Sequence, residues 1–166
     1  MTHSTELLDQ KNTFSITLNK FLFFIGLLIV VYFSYTLYVS NKAEQAETST
    51  LIVDPQVNDI YFLDYRHFSN KLGSDEFEHK NKYKLAKVIR VSDDNITVVY
   101  GRFSYQWQYA VINSIKHGDL SNNNYFTLTP GYIPLSKMEE MKRSGALYLI
   151  KRPIQNKLYG NFVSPQ

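Results

Sequence analysis

Between Lys20 and Lys42 the chain carries no charged residue, and from Phe21 to Phe33 it is almost wholly apolar. This pattern predicts one N-terminal transmembrane helix over 21–39, because at ~1.5 Å per residue the run covers roughly the 30 Å hydrocarbon core. A soluble helix apolar on every face would need protein all around it, and a chain of this size has none to spare. A cleaved signal peptide is the competing account. Its apolar region is shorter, about 7–15 residues, and ends at a small-residue site; here Tyr38-Val39-Ser40 follows the run. A retained anchor is therefore expected, with a short tail over 1–20. Lys11 and Lys20 precede the span and Lys42 follows it, so the positive-inside rule places the N-terminus in the cytoplasm and the C-terminal domain outside. Tyr32, Tyr35 and Tyr38 form an aromatic belt at the exit, or a stripe that meets another helix.

Beyond the span the pattern changes period. Residues 40–56 are polar and serve as a linker: 41–47 can prolong the helix, Thr48-Ser49-Thr50 lowers helical preference, and Asp54-Pro55 fixes a turn. The folded domain, 57–166, opens with a strand over 59–65, followed by an exposed charged loop from Ser69 to Asn81. Alternation over Tyr83–Val91, a turn at Ser92-Asp93-Asp94-Asn95 and a return through Ile96–Phe103 predict a β-hairpin. Ser104 is placed to cap a helix ending at Lys116-His117-Gly118, with continued strand through Tyr105, Trp107 and Tyr109 as the alternative. A short strand, Tyr125–Thr129, ends at Pro130-Gly131. Ser136 and Glu139 have capping-box spacing for a helix that stops at Gly145. Strands over Ala146–Ile150 and Leu158–Val163 complete the domain. The fold class is thus one transmembrane helix plus a small α+β, β-rich domain: a bent antiparallel sheet, or a partly open small barrel, with one or two short helices.

Composition narrows the chemistry. The 166 residues include no cysteine, which excludes disulfides, thiol nucleophiles and Cys-ligated metals. A net charge of +3, from 18 basic and 15 acidic residues, is unlike a nucleic-acid-coating protein, and nucleic acid is not the expected partner. Aromatic residues make up 15% of the chain, which favours strands and contact surfaces alike.

No nucleophile elbow, phosphate-cradling glycine loop or metal-spaced His set is present, so no catalytic residue, cofactor or metal is assigned. Asp64 with His67, and His117 with Asp119, have the spacing of base–orienter pairs; surface His beside Asp is the bland account, and an envelope hydrolase using Asp64 and His67 is the least favoured function. Lys82, Lys84, Lys87 and Arg90 on the hairpin suit anionic headgroups or an envelope polymer, against the simpler role of solvating a sheet face. Tyr105, Trp107 and Tyr109 suit a protein contact, against burial in the core. The leading expectation is a membrane-anchored, non-enzymatic module that contacts another membrane or envelope protein.

Overall fold

The computed structural model describes residues 3–67 and 82–164. Helix α1 spans His3–Val53 without interruption. No Pro or Gly other than Gly26 occurs before Pro55, so once the apolar run nucleates a helix nothing breaks it. The expected tail is accordingly helical from His3. The helix ends just before Asp54-Pro55, where proline disfavours helical backbone in the residue preceding it. Its stretch from Lys20 is long and apolar enough to cross a membrane.

The chain divides into two units, Met1–Ala43 and Glu44–Gln166. In the second, strands β1 (Ile60–Asp64), β2 (Tyr83–Val91), β3 (Asn95–Tyr105), β4 (Phe126–Pro134) and β5 (Leu147–Lys151) form one antiparallel sheet in the order β4-β3-β2-β1-β5. The sheet does not close into a barrel; β4 and β5 are its edges. A separate two-stranded hairpin, β6 (Lys157–Leu158) with β7 (Asn161–Phe162), follows, so the last segment is not an edge of the main sheet.

Both faces of the sheet are covered. On one, Ile60, Phe62, Tyr83, Leu85 and Val99 pack with Val111 and Ile115 of helix α2 (Gln108–Lys116) and with Leu158 and Val163. On the other, Tyr61, Leu63, Ala86, Val88 and Val98 pack with Ile52 of α1 and Met138 of helix α3 (Met138–Ser144). This explains why β1 is buried along its whole length. The expected hairpin is β2–β3, but both of its faces are internal, so Ala86 and Val88 belong to a core as fully as Tyr83 and Leu85 do.

Four local expectations give way to tertiary context. Thr48-Ser49-Thr50 does not end α1: Ser49 and Thr50 donate their hydroxyls back to the carbonyls of Gln45 (2.7 Å) and Ala46 (3.2 Å), which satisfies them inside the helix. Within residues 40–56, Thr48 and Ile52 are buried. Ser104 is not a cap, because it pairs with Lys84 within β3; α2 begins after Trp107 with no side-chain cap. The capping box at Ser136 and Glu139 does not form, because 135–137 is a 3₁₀ turn and Lys137 takes the N-cap position. Finally, β4 continues through Pro130-Gly131 to Pro134. The glycine stop at Gly145 holds, with φ of 79°. The charged loop Ser69–Asn81, with Lys80 and His79, lies outside the described residues.

Candidate functional site

Open sheet edges are the first place a β domain binds a partner, and here one is poor in donors and the other is met by α1. Leu135 N–H donates to the Asp94 carbonyl (2.9 Å) across the β3–β4 pair. Alternation therefore turns Ile133 and Gly131 toward β3 and leaves Pro130, Tyr132 and Pro134 facing outward. Two of those three positions are prolines without an N–H, so this edge is poor in donors. At the other edge, Ile150 N–H donates to Thr48 Oγ1 of α1 (3.2 Å), and Lys151 Nζ reaches Glu47 Oε2 (2.7 Å).

What remains is a groove of about 310 Å³ beside α3. Tyr100, Tyr132, Ile133, Pro134, Met141 and Ala146 give it apolar walls; His67, Lys137, Glu140 and Ser144 add polar groups. Its shape depends on Gly131, where a Cβ would lie 2.5 Å from Tyr100 Cε2. Only glycine lets the Tyr100 ring lie against β4 there. Tyr100 in turn meets Tyr65 edge-on at 6.2 Å. Burial pushes the hydroxyl pKa values of Tyr100 and Tyr65 up, so both are protonated and able to donate at neutral pH.

Asp64 and His67 stand near each other without a hydrogen bond between them. Arg66 takes the Asp64 carboxylate with Nε (2.9 Å) and Nη2 (2.5 Å), while His67 Nε2 stands 4.0 Å away. Burial would raise the Asp64 pKa, but the side-chain and backbone hydrogen bonds from Arg66 outweigh it and hold the carboxyl below its usual range. His117 and Asp119 are likewise engaged elsewhere. His117 Nδ1 lies 2.7 Å from the Asn113 carbonyl, and Asp119 Oδ2 accepts from Ser114 Oγ at 2.7 Å. Among the described residues no three His, Asp or Glu side chains converge to hold a metal.

The aromatic trio separates. Tyr105 turns inward, its hydroxyl 2.6 Å from Ser114 Oγ and 2.7 Å from Tyr125 Oη. Trp107 and Tyr109 are exposed, at 66% and 69%. Phe103, outside the trio, is exposed beside them in sequence at 58%, and its ring lies 5.8 Å from that of Tyr125. In sequence, the alternation of 103, 105, 107 and 109 already sets Phe103 beside the trio. Nothing local marks the groove, which brings His67 and Tyr100 to the stretch from Tyr132 to Ala146.

The basic set separates too. Arg90 is exposed, while Lys82 and Lys84 are half-buried; Lys84 Nζ lies 5.6 Å over the Tyr65 ring. Lys87 is buried, and its ammonium donates to the Ser164 carbonyl at 2.6 Å. It anchors the C-terminal segment from within and faces no outside surface. Burial pushes the pKa values of Lys84 and Lys87 down.

No family model matches this chain, and neither the curated proteins nor the solved structures yield a match.

Proposed function

We propose that this chain is a membrane-anchored, non-enzymatic binding module that contacts a segment of another membrane or envelope protein, with its N-terminus in the cytoplasm and its β domain outside. The groove beside α3 carries this reading. Strand addition is disfavoured at both edges, whereas the groove is preformed, walled by aromatic and aliphatic side chains, and bordered by Lys137 and Glu140. Such an amphipathic concavity suits a partner side chain in the middle and polar contacts of both signs at the margin. Anchoring raises the local concentration of two membrane-bound partners, so modest affinity suffices.

Site-specific photocrosslinking in native membranes tests the assignment. A crosslinker at Tyr132 should capture one discrete protein, and Met141→Glu should abolish capture while the domain stays folded. Capture that is unchanged by Met141→Glu would refute the groove. Protease added to intact spheroplasts should remove the domain; full protection until lysis would reverse the orientation.

A further inference from the structure

Residues 153–164 lie on one face of the sheet, where Leu158 and Val163 join its core, and their seat is imperfect. Lys87 stands on β2, the middle strand, and is 2% exposed. Its ammonium donates to the Ser164 carbonyl at 2.6 Å and lies 6.0 Å over the Phe126 ring; among the described residues no carboxylate pairs with it. A buried lysine is ordinarily paired, because a neutral carbonyl does not make up for the water that an ammonium gives up. The backbone adds strain. Gln155 and Tyr159 both have φ of 51°, in tight turns between Ile154 and Lys157 and between Leu158 and Asn161. Left-handed backbone suits their neighbours Asn156 and Gly160 but is costly for glutamine and tyrosine. The hydroxyls of Tyr159 and of Tyr148, in the same core cluster, are buried without a hydrogen-bond partner. Against this stand the apolar contacts of Leu158 and Val163 and the hydrogen bonds of the last residues. Ser164 N–H donates to the Leu120 carbonyl at 2.9 Å, Asn161 Nδ2 to the Lys116 carbonyl at 2.6 Å, and Ser164 Oγ to Asn123 Oδ1. The segment is held chiefly through its last four residues and strained in the turns before them.

We propose that residues 153–164 are a displaceable strap, and that the site they cover binds the C-terminal end of another polypeptide, whose α-carboxylate takes the place of the Ser164 carbonyl on Lys87. Charge selects this ligand. The group now on Lys87 is a main-chain carbonyl, and an α-carboxylate keeps its geometry while supplying the missing counter-ion, in a stronger, charge-assisted hydrogen bond. The places vacated by Leu158 and Val163 receive apolar side chains of the incoming segment. The acids that act on Tyr159, Glu44 and Glu47, are met by Lys151 at 3.6 and 2.7 Å, so their charge is offset. Lys87 does not line the groove beside α3, and the strap site is independent of the function proposed for that groove.

Hydrogen exchange of the full-length protein in detergent micelles, followed by NMR, tests the strap. The Ser164 amide should exchange through a local opening that low urea barely changes, at least about 100-fold faster than the Val88 amide, which is bonded to the Asp59 carbonyl and opens only with the whole sheet. Gln155→Gly, at an exposed position, should slow that opening by relieving the strained turn. A chain shortened to end at Ser164 places its own α-carboxylate on Lys87 and should slow it by about tenfold. The ligand is tested with two fluorescently labelled peptide copies of residues 157–164, one ending in a free carboxylate and one in an amide. The acid should bind the full-length protein about tenfold more tightly than the amide, and Lys87→Met should erase the difference. Should Lys87→Met fail to fold, the two peptides and the shortened chain still decide the matter on an unaltered Lys87. Equal affinities of the two peptides, absence of binding by both included, would overturn the ligand. A Ser164 amide that exchanges only together with Val88, with the same urea dependence, would overturn the strap.

Discussion

Ile52→Ala together with Thr48→Val probes whether the end of α1 belongs to the β domain's core. Ile52 is 4% exposed and packs with Tyr61, Leu147 and Ile150. Truncating a buried Ile to Ala costs about 2–5 kcal/mol, the spread depending on how far the cavity collapses. Valine at position 48 keeps the shape of threonine but removes the acceptor for Ile150 N–H, and a buried donor left unpaired costs about 1–3 kcal/mol. The two sites lie one helical turn apart and share neighbours, so their effects overlap and the pair should cost about 3–6 kcal/mol. Against a domain stability of roughly 5–15 kcal/mol this is a large fraction. Urea unfolding of the full chain in detergent micelles, followed by the near-ultraviolet circular dichroism of the buried tyrosines, should show the midpoint falling by about 1–3 M. Val53→Ala is the control, since Val53 is 78% exposed; its effect should lie within about 0.5 kcal/mol. A midpoint unchanged in the double variant would mean that residues 44–53 are a tether after all and that the domain begins beyond Pro55.

Val98→Asp should unfold the sheet, because Val98 is fully buried in the middle of β3 and an unpaired internal carboxylate costs roughly 3–5 kcal/mol; wild-type circular dichroism for this variant would refute the register. Gly131→Ala should displace the Tyr100 ring at a cost of about 1–3 kcal/mol and should weaken capture by a crosslinker at Tyr132 more than it lowers the melting temperature. Lys87→Met should be within about 1 kcal/mol of wild type at neutral pH, losing a buried cation together with its hydrogen bond to the Ser164 carbonyl. Because burial depresses the Lys87 pKa below 10.5 in the folded state, the native protein releases this proton before the unfolded chain does. Wild-type stability should therefore gain on Lys87→Met as pH rises through the window just below 10.5, read as the difference between the two urea midpoints; a constant difference across that window would exclude a desolvated ammonium.

The hairpin was legible because alternation over 83–91 and 96–103 and the Ser92-Asp93-Asp94 turn are local signals, and local signals dominate where strands pair with their sequence neighbour. Elsewhere distant groups decided. The continuation of β4 through Pro130-Gly131 was hidden because proline and glycine punctuate a sequence. Here the proline nitrogen faces the empty side of an edge strand, and the glycine makes room for Tyr100, 31 residues upstream. The helical state of Thr48–Thr50 is favoured by the Ile150 N–H and by the apolar face of β1 and β5, neither visible from the threonines themselves. Ser104 and Ser136 have the composition of helix caps, but strand pairing claims the first and a 3₁₀ turn displaces the second. The site suffered most. Tyr105, Trp107 and Tyr109 read as a unit in sequence, but a hydrogen bond to Ser114 turns the first inward and half-buries it, and Lys87 leaves the basic set for the interior by a bond to the Ser164 carbonyl.

The prolines of β4 and the helix laid along β5 bear on crowding. Anchored proteins diffuse in two dimensions and meet one another far more often than the same number of molecules in bulk. A five-stranded sheet with bare ends would, under those conditions, seed strand exchange from copy to copy and grow into a fibre. With Pro130 and Pro134 withholding donors at one end and Thr48 consuming Ile150 N–H at the other, each sheet ends in itself. On the membrane anchoring proposed above, the density of the protein can then rise without the sheets adding end to end.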